Sequence, residues 1–202
     1  FVDLAAANEK NWRNKITSYA AHLSSFGYNG NYAFMSKVGD KGWDWFKRLA
    51  ALQPRFERSG GPMTEKVTTG EYAMGYFVSA ITFWPKLKDP ARAKLLGWSF
   101  IPEAQPMMLR GVGIPKGSSN VNAAKLMLDF IVSAEGQRAF GRGGLTPARP
   151  DVQPDNEIRH TYSSVRTAVG GDSTMALVDY DRAFQDNYEQ FMGRWKQTFG
   201  VR

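Results

Sequence analysis

The stretch from Gly111 to Arg149 constrains the fold more than any other part of the chain. It opens on Gly111-Val112-Gly113-Ile114-Pro115, a short strand-like run. Lys116-Gly117-Ser118-Ser119-Asn120 then leads into a segment where Ala123, Ala124, Met127, Leu128 and Ile131 recur at helical spacing. Residues at i, i+1, i+4, i+5 and i+8 lie on one stripe of an amphipathic helix. Ser133 ends the stripe. Its hydroxyl suits the N-cap of a second short helix, Ala134 to Phe140, with Glu135 in the positive first turn. Gly143-Gly144 breaks that helix, and Pro147 and Pro150 keep the following chain extended. The order is strand, capped helix, second helix, extended return.

The rest of the chain alternates in the same way, which predicts an α/β fold. A strand is expected near Lys15-Ile16-Thr17, followed by a polar segment, Ser18 to Gly30, with Ser24-Ser25-Phe26-Gly27 at its centre. Such a segment is either a polar turn before a helix or an anion cradle of backbone N–H groups and hydroxyls. Trp43, Phe46 and Ala50 fit a helix from Lys41 to Leu52, ended by Pro54, with the aromatic rings in the core. Met63 to Thr69 reads as a short helix stopped by Gly70, and Glu71 to Ser79 as a strand. Ile81 to Leu87 is a short helix or an aromatic wall carrying Phe83 and Trp84. Ala91 to Leu96 suits another short helix, and Gly97 to Glu103 a strand. Thr161 to Val169 and Asp179 to Phe199 read as helical. The latter carries Tyr180, Phe184, Tyr188, Phe191, Trp195 and Phe199 on a core-facing stripe.

The 202 residues suffice for one large or two small cores, and 43% of them are hydrophobic. The chain has no cysteine, which rules out disulfides and thiolate chemistry. Its 26 Lys and Arg outnumber 19 Asp and Glu, for a net charge of +7. The charges are scattered, with no block of five of one sign, so a solvated basic surface is favoured and no nucleic-acid partner is expected.

Taken together, "GVGIPKG", "NAAKLMLDFIVSAEGQ" and "GLTPAR" resemble the extracellular solute-binding proteins of bacterial ABC importers, in the group that includes ferric-ion, polyamine and thiamine binders. The Ser133-Ala-Glu135-Gly136-Gln137 turn is the most specific piece. Val67 to Tyr76 and Gly97 to Glu103 also resemble the family, and the likeness fades after Asp151. It implies a periplasmic-binding-protein-like (type II) fold, two α/β lobes joined by hinge strands. Residues 1–114 with 153–202 would form the second lobe, and 115–152 the returning part of the first. Asp3-Leu4 and Asn11 to Ile16 resemble the point where the family's chain enters its second lobe. The N-terminal part of the first lobe is therefore expected upstream of Phe1. On that expectation the Ala123–Ile131 stripe lacks its cover, and a homodimer or a segment swap would supply it.

The function implied is solute capture for an ABC transporter permease, in the periplasm, with no catalytic residue, cofactor or metal. Ser24, Ser25, Phe26, Tyr76, Ser79 and Arg110 are the candidate ligand-binding residues. A Ser-Gly segment near Ser24 holds an anion in ferric-binding relatives, and Arg110 is either a surface residue or a two-pronged grip on a carboxylate or phosphate. These features point to an anionic solute, while Phe83 and Trp84 leave cationic amines open. Iron-binding members use an adjacent tyrosine pair beyond the strand at Val67 to Tyr76. Here Val78-Ser79 stands near those positions and no Tyr-Tyr pair occurs, which disfavours ferric iron. His22 and His160 are the only histidines, and neither has a second ligand at metal spacing. Neither a G-x-S-x-G elbow nor a G-x-x-x-x-G-K-[ST] loop is present, so no enzyme is indicated. The alternatives are a ligand-sensing domain of the same fold that signals to a receptor, and an α/β enzyme whose site has no motif.

Overall fold

The computed structural model describes residues 1–179 and 181–202. Val2–Ala7 (α1) and Glu9–Trp12 (α2) lead into Ile16–Tyr19 (β1). All four residues of β1 are buried, as expected of a central parallel strand with helices on both faces. Ser25–Val38 (α3) and Asp40–Ala51 (α4) follow, then Arg55–Glu57 (β2), Gly60–Thr68 (α5) and Met74–Gly75 (β3). The sheet order is β2-β1-β3, with both pairings parallel.

After β3 come Ala80–Phe83 (α6), a 3-10 turn at Trp84–Lys88, and Pro90–Ala93 (α7). Gln105–Met108 (β4) pairs in parallel with Met175–Val178 (β5) as a second sheet. Between them lie Val121–Val132 (α8), Ala134–Arg142 (α9) and Tyr162–Ala168 (α10); Ala183–Asp186 (α11) and Tyr188–Phe199 (α12) close the chain. The β4–β5 pair shows the two-residue period of a strand. Ala176 and Val178 face the main core with Met108, while Met175 joins Met107 in a smaller cluster under α10 with Val165 and Val169.

Several sequence expectations change. The polar segment after β1 is mostly helix: α3 begins at Ser25, and Ser24 caps it by accepting the Gly27 N–H. Gly27 and Gly30 sit inside α3 because a Cβ at Gly27 would meet the Tyr19 Cβ at 2.9 Å, and one at Gly30 the Met108 Cε at 3.0 Å. The helix thus lies against both sheets. The strand expected at 71–79 shrinks to β3. The run 97–103 forms no strand, with pairing deferred to β4. Gly111 to Pro115 is likewise irregular. The helix expected from Asp179 breaks at Asn187 between α11 and α12, and Tyr180 of its stripe lies outside the described residues. Phe191 and Trp195 are buried in the main core, with Phe184 and Phe199 packed at its edge.

From Val121 onward the organising stretch forms its two helices as read, and Ser133 and Gln137 hold the α8–α9 corner. The Ser133 hydroxyl accepts the Gly136 N–H at 3.0 Å and donates to the Phe130 carbonyl at 2.7 Å. The Gln137 side chain donates to the Ile131 carbonyl and accepts the Ala148 N–H, fastening the extended return to the corner. No residue of α8 is buried: Leu126 is 71% exposed and Met127 58%.

Candidate functional site

All three strands of the first sheet point the same way, so their carboxyl ends share one edge, and a helix N-terminus follows each: α3 after β1, α5 after β2, α6 after β3. The chain steps from β1 to β2, then crosses back over β1 to reach β3. Crevices form outside the carboxyl ends of parallel strands where winding reverses in this way. Tyr19, the last residue of β1, marks the point of convergence. Its ring packs on Phe26 of α3 at 4.8 Å. Its hydroxyl reaches Gly60 at the start of α5, and Ser79 and Thr82 of the α6 turn are its hydrogen-bonding neighbours. Burial raises the Tyr19 phenol above its ordinary value of 10.0, opposed by Ser79, Thr82 and the charge of Arg110.

A Cβ on Gly60 would run into the Tyr19 hydroxyl and lie 2.6 Å from the Thr82 Oγ1. Gly60→Ala is therefore expected to destabilise the chain by about 1–3 kcal/mol through overpacking and to displace Tyr19. Gly61→Ala, where added bulk meets nothing within 4 Å, should leave the thermal midpoint almost unchanged. Thermal denaturation of the pair checks this.

A cleft of about 1650 Å³ runs along this edge and on between β4, α6, the 3-10 turn and α9. Phe26, Tyr76, Ser79 and Arg110 line it. Ser24 and Ser25 do not: Ser24 is committed to its cap and Ser25 is exposed. The Tyr76 ring stands among Phe46 and Phe77, and its hydroxyl is buried without a partner among the described residues, so burial pushes its phenol up. The lining is mainly apolar. Phe83, Trp84, Trp98 and Phe100 form its aromatic wall. The carboxylates on the lining are Asp3, which pairs with Arg48 at 2.7 Å, and Glu103.

The sequence reading missed the contact of Tyr19, Gly60 and Thr82, none of which lines the cleft, but which together meet Ser79 of its lining. Their role exists only once β1, the start of α5 and the α6 turn meet, and no local spacing announces it. No group of three or more His, Cys, Asp or Glu able to hold a metal occurs among the described residues. Among those residues, too, no helix is long and apolar enough to cross a membrane.

Both histidines are partly buried. His22, in the β1–α3 turn, lies against Trp195 with ring centroids 5.7 Å apart, and His160 sits among Trp84, Trp98 and Phe100. Burial lowers both below the ordinary 6.5, helped by Lys196 and Arg58 at His22 and by Arg159 at His160. Folding therefore favours the neutral rings, a contribution present above 6.5 and lost as pH falls through the depressed folded values. The thermal midpoint should hold steady from pH 9 to 7 and decline toward pH 5. The double variant His22→Gln/His160→Gln should flatten that decline.

No family model matches the chain, and no curated protein matches it by sequence. Among solved structures it is similar to the substrate binding protein of the ABC transporter from Agrobacterium tumefaciens, with a TM-score of 0.78 and 17% sequence identity. The match covers 98% of this chain and 57% of that one, so the chain spans little more than half the length of its structural neighbour. The two parallel sheets, their helices and this likeness together give the chain a periplasmic-binding-protein-like α/β fold.

Proposed function

We infer that this chain belongs to a solute-binding protein of an ABC importer, which captures a small molecule in the cleft and passes it to a membrane permease outside the cytoplasm. The observation that carries this reading is the cleft at the carboxyl edge of the parallel sheet, where Ser79 and Arg110 stand on one apolar-walled surface. Those polar groups suit an anion, with Arg110 the cation on the lining. The groups are arranged for holding: no nucleophile with an adjacent base was found among them, and the proposed role needs no covalent step. The exposed apolar residues of α8 support assigning residues 115–152 to a second lobe that closes over the cleft. The structural neighbour, named a substrate binding protein, supports the class.

A thermal-shift screen of small solutes tests the proposal. A ligand at a hundred times its Kd stabilises a protein by about 2.7 kcal/mol. A solute that stabilises the wild-type chain and loses most of that effect in Arg110→Ala is the expected result. Stabilising solutes that ignore both Arg110→Ala and Gly60→Ala would place capture elsewhere and contradict the reading.

A further inference from the structure

We propose that the cleft selects a planar aromatic anion, with its negative group at Arg110 and Ser79 and its ring against Trp98 and Trp84. This rests on the solute-capture reading and names the class of solute. Trp84 and Trp98 meet edge to face at 4.9 Å, and Phe100 and His160 complete the cluster at 5.0–5.3 Å. Trp98 is nevertheless 41% exposed, and both indoles line the cleft. An aromatic wall left open in this way offers stacking surface to a flat ring.

The wall and the polar end lie on the same stretch of cleft. Ser79 precedes α6 and Trp84 opens the 3-10 turn directly after it. Five residues at a rise of about 1.5 Å each separate them by about 8 Å along the axis. From the other side, the Gln105 side chain accepts the Ile101 N–H at 2.9 Å and turns the chain back, so that Phe100 and Met107 pack on one cluster. Trp98 and Arg110, which follows β4, both line the cleft. Glu103 stands beyond the opposite end of that strand.

The charge around the wall decides against a cationic amine. The Arg159 guanidinium already sits 5.7 Å from the ring centroids of both Trp84 and Trp98, and its charge would repel a bound ammonium. An anion meets Arg110 at one end and no carboxylate of the aromatic cluster at the other.

Isothermal titration of the full chain with inorganic phosphate, phenyl phosphate and phenethylamine tests the proposal. Phenyl phosphate is expected to bind about tenfold more tightly than phosphate, a ratio typical of one aromatic stacking contact. Trp98→Leu should abolish the difference while leaving phosphate binding in place, and Arg110→Gln should weaken both anions alike. Equal affinities for the two anions, or tighter binding of the amine, would overturn the aromatic-anion assignment and leave solute capture standing. Failure of all three probes to bind the folded chain at millimolar concentration would overturn this assignment, and a screen that also found no other solute would remove the capture reading with it.

Discussion

Trp195→Ala is expected to lower the stability of the chain by about 3–5 kcal/mol, the usual cost of emptying a large aromatic site in a core. Trp195 is fully buried, with Phe56 and Phe199 both at 4.9 Å and His22 at 5.7 Å. The indole joins α12 to β2 and to the β1–α3 turn, so its loss opens a cavity among three elements. For a domain this size each kcal/mol shifts the midpoint by about 2–4 °C, which predicts a fall of roughly 6–20 °C. Trp195→Phe should recover much of it, because the indole N–H has no partner among the described residues and its removal leaves no acceptor stranded. Thermal denaturation of both variants decides the matter. A fall under 2 °C for the alanine variant would show that the core does not rest on this ring.

Gly136→Ala should give the second large loss, confined to one region. A Cβ there would intrude on the Phe130 carbonyl oxygen, lie 2.8 Å from its carbon and 3.1 Å from the Ile131 Cα. All three are backbone atoms of the preceding helix, and no side-chain rotation relieves the clash. The helices must separate, which also breaks the Ser133 bonds to both sides of the corner. A net loss of about 2–3 kcal/mol is expected after the gain in helix propensity is set against it. Amide hydrogen exchange should quicken across residues 121–142 while β1 stays protected, because α8 has no buried residue to hold it in place. Gly193→Ala, in the interior of α12 with open space around it, should instead stabilise by about 0.5–1 kcal/mol. Equal behaviour of the two alanines would contradict the corner argument.

Where one segment carries both the period and its cap, the sequence announces the element. The stripe from Ala123 to Ile131, the Ser133 cap and the Gly70 stop all appear as read. The stripe differs in one respect: Ala123 and Met127 are exposed, and Ala124, Leu128 and Ile131 are the more sheltered residues. Short strands fared worse. Met175 to Val178 is a continuous apolar run with no alternation, and its pairing partner, β4, is remote in the chain, so no local pattern distinguished it from its surroundings. Gly97 to Glu103 has strand-like residues but no neighbour to pair with. The glycines misled in the opposite direction. Gly27 and Gly30 suggested a loop, whereas tight packing of α3 on Tyr19 and Met108 requires them within a helix.

For the candidate site, residue type was legible and convergence was not. Phe26, Tyr76, Ser79 and Arg110 come to one cleft from three regions of the chain, while Ser24 satisfies its own helix. Tyr19 falls, by sequence, in the polar segment Ser18 to Gly30 and not in the strand. Only the sheet order brings Gly60, Ser79 and Thr82 around its hydroxyl.

The central claim, that this chain holds a small solute without transforming it, is tested most directly by native mass spectrometry of the protein purified from cells. The account predicts a complex heavier than the chain by the mass of one small anionic molecule, released unchanged on mild denaturation and retained less by Arg110→Ala. A bound molecule released as a chemically altered product, or retention indifferent to Arg110, would contradict it.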